Sequence, residues 1–386
     1  MKKVVRAGSV FDPRTGKARE KHSLVLEGER VEWIGPDDKL PSVQAAEIDL
    51  SDLHVFPGLI DCHSHAVIRP REGDQAGQLH LAVVEQTLRT IDNMKRDILS
   101  GVTTARLCGV GDVDPIEKFL QMYIDKGEIL GPRTLISLWP LSSSYGHGGN
   151  PVRVDGVEEI RKTVRRTIKQ GAEFVKIFLN PRDHDTTWSF EEVETAVVEA
   201  HRVHIPVCAH AVGDHAVQVA VKAGVDTIEH LGPVSESTVK QVAEAGIAVV
   251  FTSTIVFHPE KGLEAVDARD NPAMMSYLEA RRSSTPATYK WAQKHGVNYS
   301  FGTDACRGML AYELKVAVDF GCTPVDVLTR ATKVAAEILN MSDRVGTLEP
   351  GKYADIVAFR ENPLEDITVV SKPAFVMKGG DIVLQT

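Results

Sequence analysis

Residues 174–178 read Phe-Val-Lys-Ile-Phe, residues 190–202 read Phe-Glu-Glu-Val-Glu-Thr-Ala-Val-Val-Glu-Ala-His-Arg, and residues 205–210 read Ile-Pro-Val-Cys-Ala-His. The two short segments are mostly apolar, which is typical of buried strands. The middle segment has apolar residues three and four positions apart, which is typical of an amphipathic helix. A strand, a helix and a second strand in this order predict one unit of a parallel sheet.

Similar units recur along the chain. Amphipathic stretches such as 85–99, 157–169 and 235–245 lie between short apolar runs. This alternation, repeated about eight times, predicts a (β/α)8 TIM barrel, in which the carboxyl ends of all strands meet at one mouth. The long segment 251–271 has no clear period, so we expect an active-site loop or lid there. The apolar runs lie at 58–62, 102–106, 134–138, 174–178, 206–210, 226–229, 247–252 and 298–303.

The two ends of the chain have a different texture, with short strand-like runs separated by turn signals such as Asp12-Pro13. The C-terminal end contains a strand-like run at 354–359 and a hairpin-like stretch around two glycines. Each end is too short to bury a core alone. We therefore predict one composite β-sandwich domain from residues 1–57 and 345–386, beside a barrel of residues 58–344.

Composition limits the classes of partner and the cellular locations that we expect for this chain. A net charge of −9 argues against nucleic acid or an anionic membrane as a partner. No apolar run approaches the roughly 20 residues needed to span a bilayer, and Met1-Lys2-Lys3-Val4-Val5 is not followed by the apolar region of a signal peptide. The five scattered cysteines form neither a CxxC zinc motif nor a disulfide framework. We expect a cytoplasmic homo-oligomer that acts on a small molecule.

Residues able to bind a metal fall at the ends of the predicted strands. Side chains two positions apart on a strand point to the same side, and neutral imidazole is a common zinc ligand. Taken one at a time, a histidine at a strand end is an ordinary surface residue, an aspartate before a helix is an ordinary N-cap, and a strand lysine extends to solvent. Chance rarely places them all at one mouth. The candidates are His63, His65, Lys176, His210, His230 and Asp304.

At these residues the chain resembles the amidohydrolase superfamily, and it is most similar to the branch of imidazolonepropionase-related proteins and zinc-dependent Xaa-Pro dipeptidases (prolidase-like). The resemblance extends over nearly the whole chain and implies the TIM barrel and the small β-sandwich domain. The matching stretches are 56–65, 101–106, 171–177, 208–211, 223–230, 302–304 and 346–357.

The resemblance implies a binuclear centre with zinc as the favoured metal. His63 and His65 would bind one ion together with Asp304. His210 and His230 would bind the second ion. Lys176, carboxylated by CO2, would bridge the two ions through its carbamate, and the ions would share a hydroxide whose proton passes to Asp304.

The resemblance also suggests substrate contacts. The loop at 144–149 looks like the family's glycine-flanked histidine loop, so His147 is the candidate that contacts a carbonyl or carboxylate of the substrate, with Tyr145 beside it. Arg307 is the candidate for a substrate carboxylate, and Arg69 is a weaker one. The chain departs from the dipeptidase pattern at Leu107, Tyr145 and Val212, and this puts a dipeptide substrate in doubt.

These features predict a hydrolase that cleaves a carbon–nitrogen bond in a small amide, dipeptide, N-acyl amino acid or carbamate. A deaminase or cyclic-amide hydrolase on the same scaffold is the alternative. Lys176 argues against a mononuclear deaminase, because such enzymes of the superfamily normally lack the bridging lysine. A non-catalytic scaffold is disfavoured, because all the expected metal ligands are present.

Overall fold

A computed structural model describes residues 2–69, 75–109, 115–147, 151–181, 186–260, 262 and 272–386. The described strands belong to two barrel sheets and one sheet at the chain ends. In chain order they are β1 (Lys2–Asp12), β2 (Lys17–Glu27), β3 (Arg30–Pro36), β4 (Ala46–Pro57), β5 (Leu59–Ser64), β6 (Val102–Leu107), β7 (Arg133–Ile136), β8 (Leu141–Ser142), β9 (Val152–Arg153), β10 (Val175–Phe178), β11 (Val207–Ala211), β12 (Thr227–His230), β13 (Ala248–Phe251), β14 (Tyr299–Phe301), β15 (Ile356–Phe359), β16 (Phe375–Lys378) and β17 (Asp381–Gln385).

The helices alternate with the strands of the barrel. Short 3-10 segments cover Asp37–Lys39 and Ile367–Ser371, and a π-helical turn covers Arg330–Val334. The α-helices are α1 (Gln75–Gln78), α2 (Val83–Leu99), α3 (Ile116–Asp125), α4 (Val157–Lys169), α5 (Phe190–His201), α6 (Asp214–Ala223), α7 (Glu236–Glu244), α8 (Thr254–Phe257), α9 (Pro272–His295), α10 (Leu310–Asp319), α11 (Pro324–Thr329) and α12 (Ala335–Ile338).

The predicted (β/α)8 barrel is confirmed. Strands β5, β6 and β7 pair in parallel, and β10 to β14 form a second parallel series. The barrel closes through a parallel bridge between Ser64 and Asp304 on one side. On the other side, the amide of Glu173 donates to the carbonyl of Ile136 at 2.9 Å. All the predicted strand ends therefore face one mouth, as the parallel arrangement requires.

Local sequence fixes the start of α5. Ser189 caps α5: its hydroxyl accepts the amide of Glu192 at 3.3 Å, and the Glu192 carboxylate accepts the amide of Ser189 at 2.8 Å. This capping box satisfies two amides that the first helical turn leaves unpaired. The predicted helix at 190–202 thus begins where the sequence indicates. Its apolar face packs on the barrel core through Val193, Ala196 and Val197.

The two chain ends share one seven-stranded sheet in the order β17-β16-β15-β4-β1-β2-β3. Apolar residues from both ends form its core, including Val5, Leu24, Ile356 and Phe375. This is the predicted small β-domain built from both termini.

Two further expectations meet the structure only in part. In the segment 251–271, α8 follows β13 directly, but residues 261 and 263–271 lie outside the described residues, so the lid stays a prediction. None of the helices in the described ranges is both long enough and apolar enough to cross a bilayer.

Candidate active site

The candidate metal ligands gather at the carboxyl end of the barrel. The ring centroids of His63 and His65 lie 5.3 Å apart, those of His63 and His230 lie 4.9 Å apart, and those of His210 and His230 lie 4.6 Å apart. The Nε2 atom of His65 lies 3.6 Å from Oδ1 of Asp304. Ligand atoms of His63, His230 and Asp304 all lie within 4.8 Å of one another. The folded chain therefore offers a compact set of imidazole and carboxylate donors.

Backbone geometry brings Asp304 against β5, the first strand of the barrel. A β-carbon on Gly302 would lie 2.5 Å from Cβ of His63, so only glycine permits this approach. The Thr303 hydroxyl donates to Asp61 at 2.6 Å, and the amide of Asp304 donates to the carbonyl of His63 at 2.8 Å. His230 and Asp304 adopt positive φ angles of 79° and 55°, a region that few non-glycine residues occupy.

Buried polar atoms test whether a metal centre fits this arrangement. Lys176 is fully buried, and within the described residues its Nζ has no hydrogen-bond partner. The Nε2 atom of His63 is equally buried and unpartnered in the same part of the chain. Burying an ammonium group without a partner costs on the order of several kcal/mol of folding free energy. The donor set fits divalent ions, which would give both atoms a role.

Burial also sets the protonation of the histidines. Burial, followed by the positive charge of Lys176, holds the pKa of His63 well below its usual range. Burial and then the charges of His63, Lys176 and Arg281 do the same to the pKa of His230. Both rings are therefore neutral near pH 7, the form that binds a metal.

Hydrogen bonds orient the histidines so that their Nε2 atoms are left for the centre. The Nδ1–H of His63 donates to Glu229 at 2.5 Å, and the Nδ1–H of His65 donates to the carbonyl of Gly109 at 3.1 Å. The Nδ1 of His230 is hydrogen-bonded to the Thr252 hydroxyl at 2.6 Å. Such partners fix the tautomer of metal-binding histidines and raise their basicity.

Glu229 is a functional residue that the sequence analysis missed. Its carboxylate also accepts Arg106 at 2.6 Å and the Thr227 hydroxyl at 2.6 Å, so its charge is compensated inside the barrel. The signal was present: Glu229 is an acidic residue in an apolar run that ends at His230. An ionised side chain at such a position needs a buried partner.

We expect Glu229→Gln to weaken zinc binding by about 10- to 100-fold, because partners of metal-binding histidines typically contribute that much. The amide keeps the size of the side chain but loses the charge that holds the His63 ring. Competition with a chromophoric chelator measures the affinity. Glu244→Gln is the matched control, since Glu244 pairs with Lys240 on the exposed side of α7 at 3.4 Å. Equal zinc affinity in the Glu229 and Glu244 variants would contradict this role.

His147 lies beside the donor set. Its ring stacks on that of His210 with centroids 4.6 Å apart and planes 21° apart, and it lies 5.3 Å from the ring of Phe178. This position suits a group that contacts a substrate bound at the mouth. Tyr145 is 87% exposed, and its predicted substrate contact stays a prediction. The two glycines that follow His147 lie outside the described residues.

Arg307, the other candidate for a substrate contact, forms an ion pair inside the protein. Its side chain is only 2% exposed and is paired with the carboxylate of Asp97, which also accepts the amide of Gly308 at 2.8 Å. This buried ion pair connects the segment after β14 to α2, and the predicted contact of Arg307 with a substrate carboxylate stays a prediction. Arg69, the weaker candidate, pairs with Asp92 at 2.8 Å.

Comparisons with known proteins agree with this geometry. The profile of the amidohydrolase family matches residues 54–383. The chain is 28% identical to an ochratoxinase from Aspergillus niger, over 98% of this chain and 86% of that protein. It is 26% identical to an imidazolonepropionase from Pseudomonas aeruginosa, over 90% of this chain and 89% of that protein. A prolidase solved in complex with N-methylphosphonate-L-proline superposes over the full length of both chains with a TM-score of 0.90 and 28% identity.

The predicted resemblance is thereby confirmed, and so is the predicted class of enzyme. The family profile spans the barrel and the C-terminal strands of the sheet built from the chain ends, and it begins within β4. Members of this family generally use a divalent metal site, and the donor set at the barrel mouth offers possible ligands for one. The chain belongs to the amidohydrolase family and is a hydrolase that acts on carbon–nitrogen bonds.

Proposed function

We propose that the protein hydrolyses the carbon–nitrogen bond of a small amide, dipeptide, N-acyl amino acid or carbamate at a binuclear zinc centre. His63, His65 and Asp304 would hold one ion, and His210 and His230 would hold the other. Lys176, carboxylated by CO2, would bridge them. The observation that carries the proposal is the fully buried Lys176, whose Nζ has no hydrogen-bond partner among the described residues and whose strand β10 pairs with the strand β11 that carries His210. A carbamate would replace that cation with an anionic, two-oxygen ligand.

When bound, two divalent ions would supply a water that is nucleophilic at neutral pH and would polarise the substrate carbonyl. The protein side chains supply the rest. Asp304, which lies 3.6 Å from His65, would accept the proton of the attacking water and deliver it to the leaving nitrogen. His147, stacked on His210, would donate a hydrogen bond to the oxygen that gains charge in the transition state.

The relatives support a substrate of this kind without fixing it. The phosphonate in the related prolidase is a derivative of L-proline. Because one relative is an imidazolonepropionase, a cyclic-amide hydrolase is the second candidate function. A mononuclear deaminase is disfavoured by Lys176, since one ion would not need a bridging ligand.

A substrate panel tests the proposal. The zinc-loaded protein is incubated with Xaa-Pro and other dipeptides, N-acyl amino acids, aryl carbamates, cyclic amides and amino-heterocycles, and products are identified by mass spectrometry. We expect cleavage of linear amides. Ring opening of cyclic amides alone would support the second candidate. Ammonia release from heterocycles alone, or no turnover with two zinc ions bound, would overturn the proposal.

We also propose a cytoplasmic location and a division of the chain into two domains. The five cysteines are all buried and free, which is usual in the reducing cytoplasm. A homo-oligomer stays a prediction. The division into residues 1–57 with 345–386 and residues 58–344 is supported by the strand order, because β4 of the terminal sheet ends at Pro57 and β5 of the barrel begins at Leu59.

A further inference from the structure

Arg281 on α9 is a buried cation that makes few hydrogen bonds through its side chain. The residue is 5% exposed, and its Nη1 donates to the hydroxyl of Tyr277 at 2.8 Å. Its Nε is buried and has no hydrogen-bond partner in the described ranges, which also provide no carboxylate within ion-pair distance of the guanidinium. A guanidinium removed from water normally requires an anionic partner.

The position of α9 places this cation near the active site. Arg281, Thr285 and Thr288 are spaced by four and three residues, and their burial marks one face of the helix. The Thr288 hydroxyl lies 3.8 Å from where a β-carbon on Gly232 would stand, and Gly232 comes two residues after His230. The buried face of α9 therefore packs on the loop that leaves β12.

A second contact joins α9 to the loop after β13. The hydroxyl of Tyr289 lies 3.1 Å from that of Ser253, the neighbour of the Thr252 that holds the His230 ring. Next to Arg281, the Nε of Arg282 donates to the carbonyl of Val256 in α8 at 3.1 Å. Both loops leave the carboxyl ends of barrel strands, so this part of α9 borders the barrel mouth.

Three other buried or half-buried arginines near the mouth are paired with carboxylates. Arg106 binds Glu229 at 2.6 Å, Arg69 binds Asp92 at 2.8 Å, and Arg307 binds Asp97. These three stabilise the fold or the histidines. Arg281 differs because a hydroxyl, and no carboxylate, is its neighbour in the described structure.

We propose that Arg281 binds the carboxylate of the substrate. The planar guanidinium suits two parallel hydrogen bonds to a carboxylate, and Tyr277 would hold it in place. This inference rests on the proposed carbon–nitrogen hydrolysis and narrows it to N-acyl amino acids and dipeptides with a free carboxylate. Neutral amides and aryl carbamates would be poor substrates.

Paired substrates isolate this interaction. The probes are glycyl-L-proline and N-acetyl-L-phenylalanine, each compared with its C-terminal amide. We expect the wild type to prefer the acids. Arg281→Met should lower kcat/KM for the acids about 10- to 100-fold, in line with a charged hydrogen bond, and leave the amides within about threefold. Lys290→Met is the control for charge on the same helix, because Lys290 is exposed, and it should change neither.

Two smaller changes test the same interaction with less risk of misfolding, which circular dichroism would detect. Arg281→Lys retains the charge without the planar fork, and Tyr277→Phe removes only the hydroxyl. Both should raise KM for the acids more than they lower kcat. Equal effects on acids and amides in these variants would assign Arg281 a structural role and overturn the inference.

Binding measurements separate this inference from the proposed function. Calorimetric titration of the zinc-loaded protein with N-acetyl-L-proline and N-acetyl-L-prolinamide requires no turnover. Tighter binding of the acid, lost in Arg281→Met, supports the carboxylate site even if the panel shows no hydrolysis. Cleavage of linear amides with no preference for the acid in kinetics or binding overturns the inference and leaves the proposed hydrolysis standing.

Discussion

Replacing Lys176 with alanine is expected to lower kcat/KM by about four orders of magnitude, or about 5.5 kcal/mol of transition-state stabilisation. The side chain is fully buried among the histidines, and no other described lysine lies within this set. Its loss removes the proposed bridge between the two ions. Metal content should fall with activity, from two zinc ions per chain to one or none, as measured by plasma mass spectrometry.

The control for Lys176 is Lys240→Ala, because Lys240 is a largely exposed lysine on α7. A small carboxylic acid such as propionate is expected to restore part of the activity of Lys176→Ala, since it can occupy the vacated space and supply two oxygens. Wild-type protein loaded with zinc in CO2-free buffer should bind less metal than protein loaded with bicarbonate. Near-normal turnover and two bound ions in Lys176→Ala would contradict the proposed bridging role of Lys176.

The barrel was predictable from sequence because its signals are local and repeated. The run at 174–178 corresponds to β10 (Val175–Phe178), and the helical pattern at 190–202 corresponds to α5. The candidate ligands were predictable for a related reason. A parallel barrel carries every strand end to one mouth, so a polar residue at the end of an apolar run is placed by topology alone.

Side-chain partners were not predictable, because they depend on contacts distant in sequence. Arg307 follows Asp304 directly enough to suggest a site residue, yet its partner Asp97 lies 210 positions away on α2. Arg281 sits in a long helix whose pattern gives no sign that this position is buried. Glu229 and His63 are 166 positions apart and meet only when the barrel closes. Each of these roles is a property of the fold, and no local pattern indicates it.

Asp304→Asn is expected to lower kcat about 10²- to 10⁴-fold, the contribution that a positioned general base usually makes. Asparagine is the informative replacement, because Asp304 has a φ of 55° and asparagine tolerates this left-handed region better than alanine does. The amide oxygen can still bind an ion but cannot take a proton. The variant should therefore keep most of its zinc, and KM should change less than kcat.

A matched control separates this effect from a general loss of negative charge. Asp319→Asn is the control, since Asp319 pairs with Lys315 in an exposed position on α10. A variant that loses zinc as completely as Lys176→Ala would show that Asp304 acts mainly as a ligand. A variant that keeps its turnover would assign proton transfer to another group, and His147, stacked on His210 at the same mouth, would be the next residue to replace.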